Sequence, residues 1–221
     1  MRKIILSLII LFSSILVIVY LIKPGETDDE SLSEIRSKFE KRATPTTDHS
    51  KLEALQQDFK TPQEVTAACM NCHTEAHKEV MKSNHWNWER QEYIKGRGIV
   101  SIGKKNAINN FCIGVDGNEK SCAKCHIGFG ITDKMDGYTD STNIDCLVCH
   151  DNSDTYIKGS ELGGNPMPGI DLQKIAMSVG KPTRSNCGVC HFFGGGGNNV
   201  KHGDLEKSMF NPKKEIDVHM A

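Results

Sequence analysis

The sequence predicts a mainly α-helical chain with long loops and little or no β-structure. Three observations carry that expectation. Hydrophobic residues make up 38% of the 221 positions and aromatic residues 6%. Part of that apolar stock sits in the first 22 residues, so a conventional side-chain core is thinly supplied. Glycine-rich and polar loops recur at Gly96-Arg-Gly98, Asp116-Gly-Asn118, Gly163-Gly-Asn165-Pro166 and Gly194 to Gly197, and no useful run of β-alternation separates them. Eight of the 9 cysteines fall into four copies of one pattern, Cys-x-x-Cys-His. Lysine plus arginine total 27 and aspartate plus glutamate 28, a net charge of -1. That balance excludes a strongly basic nucleic-acid binder and a strongly acidic tail protein.

The elements follow in order. Arg2 and Lys3 precede an uncharged run from Ile4 to Ile22 that would span about 28 Å as a helix, close to the hydrocarbon core of a bilayer. No Ala-x-Ala-like cleavage site follows, so residues 1–22 read as an uncleaved signal anchor, with a cleaved signal peptide as the alternative. Either way the flanking charges place the rest of the chain on the periplasmic side, bound to the membrane by the N-terminal helix in the first case. Residues 23–60 read as a solvated linker, with a short helix starting at the Ser31-Leu-Ser-Glu34 capping box. Thr61-Pro62-Gln63-Glu64 is a stronger helix start: Thr61 caps, Pro62 suits the first helical position, and Glu64 reaches back. That helix runs into Cys69 and opens a domain over 61–221. Residues 74–93, 171–179 and 204–209 also have helical composition. Long loops join these short helices, which is uncommon in a compact domain unless something else organises them.

The organiser is legible in the four motifs: Cys69-Met-Asn-Cys72-His73, Cys122-Ala-Lys-Cys125-His126, Cys146-Leu-Val-Cys149-His150 and Cys187-Gly-Val-Cys190-His191. Chance would supply roughly 0.015 such matches at this composition. Two thiols three positions apart reach the two vinyl groups on one edge of a haem, and the next residue presents its imidazole to the iron. The alternative is zinc, for which the four pairs could build two tetrahedral four-thiolate sites, but zinc would not demand a histidine after every pair. The fold expected is therefore a multihaem cytochrome c fold, organised around four covalently attached haems c that fill the interior. His73, His126, His150 and His191 are the proximal ligands.

Five histidines remain for the opposite faces of the irons. His85, His202 and His219 are the distal candidates. His49 lies in the linker and is expected in solvent. His77 is one turn beyond His73 and is expected at the surface. Met220 is a weaker alternative ligand. Three histidines for four irons leave one iron open, lysine-ligated, or completed by residues outside this chain. Such an iron is where a substrate can bind, whereas bis-histidine irons pass electrons.

Cys112 is the odd cysteine: an intermolecular disulfide, an inert buried thiol and a reactive thiol all remain open. Lys201 reads first as a surface lysine. To ligate iron it would have to be the neutral amine. The Gly194–Gly197 run permits close backbone approach to a haem but also serves as a plain turn, and it is no phosphate loop.

Several separated segments resemble the octahaem tetrathionate reductase family of multihaem cytochromes c. They are Thr61-Pro-Gln-Glu-Val-Thr-Ala-Ala-Cys69, Ser83-Asn-His85-Trp86-Asn-Trp88, Asn109-Asn-Phe-Cys112, Asp145-Cys-Leu-Val-Cys-His-Asp151 and Phe193-Gly-Gly-Gly-Gly-Asn-Asn-Val-Lys201-His202-Gly-Asp204. The resemblance implies that the second haem, on Cys122, Cys125 and His126, is the catalytic one and that Lys201 is its distal ligand. It implies that Cys112 and Asn109 line the same pocket. It also implies reduction of tetrathionate, nitrite or hydroxylamine. Where the family carries an acidic residue three positions before the lysine, this chain has Asn198. The family carries eight haems, and this chain has motifs for four, so it is expected to be a truncated or split form.

Two functions compete. One is an exported multihaem oxidoreductase that reduces a sulfur or nitrogen oxyanion at a Lys201-ligated haem. The other is a membrane-anchored tetrahaem electron carrier that passes electrons from quinol to a separate reductase. Both imply a redox partner protein or the quinol pool as electron donor. Neither implies nucleic acid, and both are compatible with an oligomer.

Overall fold

The computed structural model describes residues 12–13, 47–108, 112–131, 139–194 and 196–218. The expected membrane span over 4–22, Asn109 and His219 lie outside them, except that Phe12 and Ser13 are helical. Among the described residues no helix is long and apolar enough to cross a membrane. One compact body begins at Pro45.

Its helices are short. They are α1 (Pro62–Cys72), α2 (Ala76–Val80), α3 (Glu119–Cys122), α4 (Leu147–His150), α5 (Leu172–Ser178) and α6 (Arg184–His191), with 3-10 turns between them. Local chemistry sets their ends. Thr61 accepts from the Glu64 amide, and the Glu64 carboxylate accepts back from Thr61, with Pro62 at the first position. Asp171 caps α5 by accepting from Lys174 N at 2.9 Å. Thr183 and Asn186 make the reciprocal box of α6.

The packed core joins α1, α4 and α5. Val65 and Ala68, Leu147 and Val148, and Leu172, Ile175 and Ala176 are all buried in it. Each such side chain contributes roughly 1.5–3 kcal/mol when fully buried. Leu55 and Phe59 also belong to this core, and turns at His49–Lys51 and Glu53–Leu55 pack against α5. The segment expected as linker therefore enters the body before residue 61. Its apolar residues are too widely spaced to show a helical stripe, which is why composition alone read it as spacer.

The other departure is β1 (Arg90–Ile94) paired antiparallel with β2 (Gly98–Ile102), in register Tyr93↔Ile99 and Glu92↔Val100. The helix expected over 74–93 stops at Val80. Gly96 (φ +86°) and Gly98 (φ +78°) supply the left-handed conformations that close the hairpin. A helical composition before the turn yields to this turn and to the Ile99-Val100 pair on the returning strand.

Cross-chain hydrogen bonds tie the loops to the helices. Phe129 N donates to Asn143 O at 2.8 Å and Asp145 N to Ile127 O at 3.1 Å. Thr66 Oγ1 on α1 donates to Ile144 O at 2.6 Å. Gly164, at φ +86°, lies where an added Cβ would run into the Gly128 carbonyl oxygen. Gly164→Ala should lower the stability of the holoprotein by ~3 kcal/mol, from backbone strain and the clash together, as read by denaturant unfolding; an unchanged midpoint would show that the loop has room to shift.

Candidate haem sites

Each motif straddles or ends a short helix. Cys69 and Cys72 form the last turns of α1, with His73 at its cap. Cys122 ends α3, and Cys125 and His126 follow in turns. Cys146 precedes α4, which carries Cys149 and His150, and α6 carries Cys187, Cys190 and His191. No disulfide links any of the nine cysteines. Thiols from different motifs meet. Cys69 and Cys146 share a hydrogen bond that lowers the pKa of the first and raises that of the second. Cys125 and Cys190 do the same, Cys125 being lowered by that bond and further by Lys201. Burial, then the Asp145 carboxylate, pushes Cys149 up to about 11. The first motif thus sits against the third, and the second against the fourth.

A cavity of about 410 Å³ opens between the first and third motifs. Cys69, His73, Cys146, Cys149 and His150 share its wall with His77 and His85. Its size suits a large planar ligand.

The proximal histidines are held in the form that binds metal. His150 Nδ1 is 2.7 Å from Gly180 O, and His191 Nδ1 is 2.5 Å from Gly203 O. A ring that donates Nδ1–H to a carbonyl keeps its lone pair on Nε2, the arrangement usual for metal-ligating histidine. Burial, followed by the charges of Lys104 and Lys158, pulls His126 down to about 3, so its ring stays neutral. It stacks on Trp88 with ring centres 3.8 Å apart.

Two further histidines face proximal ones. His49 and His73 have ring centres 6.3 Å apart at an interplanar angle of 22°. His85 and His191 are 6.1 Å apart at 86°. A metal held by two opposed imidazoles, with nitrogens at roughly 2 Å, sets the ring centres about 6 Å apart. His49 is therefore no solvated linker residue: it is half-buried, its Nδ1 is buried without a partner among the described residues, and its ring faces His73. His77, expected at the surface, lies on the cavity wall of the third motif with a buried Nδ1. No local signal marks either role, because each depends on contacts set by the fold. His202 is exposed and its Nε2 lies 3.3 Å from Ile108 O.

Lys201 comes to the second motif, its Nζ donating to Cys125 Sγ at 3.0 Å. The loop that presents it is fixed from behind. Asp204 accepts from Val200 N at 3.1 Å and from Lys201 N at 3.0 Å, and Leu205 N donates to His191 O at 2.7 Å. Burial pulls the Lys201 pKa down, but Cys125 and then Asp204 outweigh it and the net direction is up. A thioether at Cys125 carries no charge, so haem attachment removes the larger of those opposing influences. Cys112 is exposed at φ 58°. Asn198 Oδ1 accepts from Lys207 N at 3.0 Å, a bond within the loop rather than toward the site.

The donor set fits haem: paired thiols on a wall with a cavity, the His150 and His191 rings oriented by Nδ1 contacts to carbonyls, and opposed rings at ligand spacing. Among the described residues no group of three or more His, Cys, Asp or Glu could hold a metal ion by itself, as zinc would require. The chain has a multihaem cytochrome c fold, and its Cys-x-x-Cys-His motifs are of the kind that binds haem c covalently. Its structure is similar to that of an octahaem cytochrome c from Shewanella oneidensis, at 45% sequence identity and a TM-score of 0.68. The likeness covers 79% of this chain and 38% of that one, so the chain spans well under half the length of its solved relative. An uncharacterized protein of Archaeoglobus fulgidus is 25% identical over 222 aligned positions, covering 78% of this chain and 74% of that protein. No family model matches the chain.

Replacing both thiols of the third motif, Cys146→Ser with Cys149→Ser, should lower the covalent haem content of the purified protein by one haem per chain, measured by intact mass. An unchanged mass increment would remove the third motif from the attachment sites.

Proposed function

We propose that the chain is an exported multihaem reductase, or the part of one that bears the active site. Its substrate is a sulfur or nitrogen oxyanion of the tetrathionate, nitrite or hydroxylamine class, as in the octahaem tetrathionate reductases. The observation that carries this reading is the approach of Lys201, 76 positions away in sequence, to Cys125 of the second motif. Haem c, when bound, supplies one-electron redox chemistry at each site. The chain's own residues distinguish the sites. His73 with His49 and His191 with His85 would each hold an iron between two imidazoles, an arrangement suited to electron transfer. His150 shares its cavity with His77, which would close the third.

The second site has His126 on one side and Lys201 in reach of the other. Lysine binds iron only as the free amine, so this ligand is more easily displaced than an imidazole. That is what a substrate-binding iron needs. Cys112 and Asn109 are proposed to line this pocket. Electrons would arrive from a redox partner or the quinol pool, and residues 1–22 would deliver the chain to the periplasmic side and anchor it there.

Lys201→Met should lower turnover with each of the three substrates at least about tenfold at unchanged haem content. Full retention of turnover would sink the assignment. His49→Ala should convert one bis-histidine haem signal to a high-spin one in low-temperature electron paramagnetic resonance while the haem count holds. An unaltered spectrum would return His49 to the surface.

A further inference from the structure

Lys158 and Asp145 form an ion pair that none of the haem contacts uses. Lys158 Nζ lies 3.3 Å from Asp145 Oδ2, and the two side chains are 1% and 0% exposed. Both groups of the pair are thus out of water in the interior of a chain with few apolar residues, where burial raises the Asp145 pKa and Lys158 opposes that rise. Such a pair is a poor source of stability, because desolvation cancels most of its attraction and apolar replacements are often neutral or better.

Its placement is directional. Lys158 Nζ donates to the backbone oxygen of His126 at 2.5 Å and approaches Gly128 O at 3.5 Å, so the positive end is bound to the second motif. Asp145 directly precedes Cys146, and its Oδ1 accepts from Val148 N at 3.0 Å in the first turn of α4. The negative end therefore belongs to the third motif. The two motifs face opposite ends of the pair.

We propose that the buried Lys158–Asp145 pair is a fixed dipole that raises the reduction potential of the second haem and lowers that of the third, biasing electrons toward the site Lys201 serves. The proposal rests on the haem-attachment reading above. Reduction adds one negative charge to an iron centre. A nearby buried ammonium favours that charge and a nearby carboxylate opposes it, with little screening in a dry interior. In the transfer the third centre loses one electron and the second gains it, and no proton or bond changes hands. Lys158 and Asp145 are positioning residues in this step, since neither touches substrate.

The test is a redox titration of the holoprotein followed by visible absorption and paramagnetic resonance, with Lys158→Met, Asp145→Asn and the double variant beside the parent. The second haem is recognised as the one whose signal changes in Lys201→Met. Lys158→Met should lower the potential of the second haem most, Asp145→Asn should raise that of one other haem most, and in the double variant those two components should move in opposite directions, the second haem to lower potential and the other to higher. If the single variants fail to accumulate with full haem, the double variant, which removes both charges together, carries the test. Unmoved components in the double variant at full haem content would overturn the proposal, as would a displacement of all components in the same direction. Should Lys201→Met change no signal, the lysine-ligated reading fails separately, and the opposed movement is still read from the titration curve as a whole.

Discussion

Helices of four to eleven residues cannot hold one another in place by backbone hydrogen bonding, because each is near or below the length at which a helix sustains itself. Among the described residues, five of the six helices α1 to α6 are eight residues or shorter. Something outside them must fix their spacing, and covalent haem attachment is the constraint that does it. Each motif sits where a helix meets a loop, so each haem ties helix to loop directly. The loops then take their shapes from what they border. This explains why long, glycine-rich connections are tolerated between such short elements.

The hydrogen-bond pattern follows the same logic. The segment after the second motif pairs with the segment before the third through Phe129 and Asn143, and through Ile127 and Asp145. Gly180 grips His150 from both sides, donating its N–H to the His150 carbonyl and facing the ring nitrogen with its own oxygen. The segment from Lys201 to Leu205 lies along the end of α6 through His191. Backbone groups that a larger protein would satisfy in sheets are satisfied here by the edges of the haem-binding turns. The side-chain core beneath them centres on α1, α4, α5 and the turns before α1, with Trp86, Ile127, Ile144 and Tyr156 joining it from the loops.

Much of this could be read from the sequence where the information is local. The Cys-x-x-Cys-His spacing encodes its own chemistry, the Thr61 cap and the composition of 171–179 mark helix starts within a few residues, and the apolar shortage points to a filled interior. Lys201 was singled out by its segment's resemblance, not by physics. What stayed hidden depends on contacts across long stretches of chain. His49 faces His73 only because the turn at Glu53–Leu55 folds back onto α5 and α1. Asp145 is one more acidic residue until Lys158 is brought to it. The hairpin at Arg90–Ile102 was masked by helix-forming residues on its first strand, although its two glycines were in view.

The carboxylate of Asp204 has a consequence for kinetics. It holds the amides of Val200 and Lys201 in place whether or not the ammonium is occupied elsewhere. A side chain on a backbone fixed in this way can let go of a partner and swing back without the loop having to refold. Release and return then involve only the few torsions of one lysine, motions on the picosecond-to-nanosecond scale. A displaced lysine would stay at high local concentration beside its site, able to reclaim it as soon as a product leaves. A gate formed by Lys201 in the proposed role would be a single side chain on a post that the Asp204 carboxylate holds.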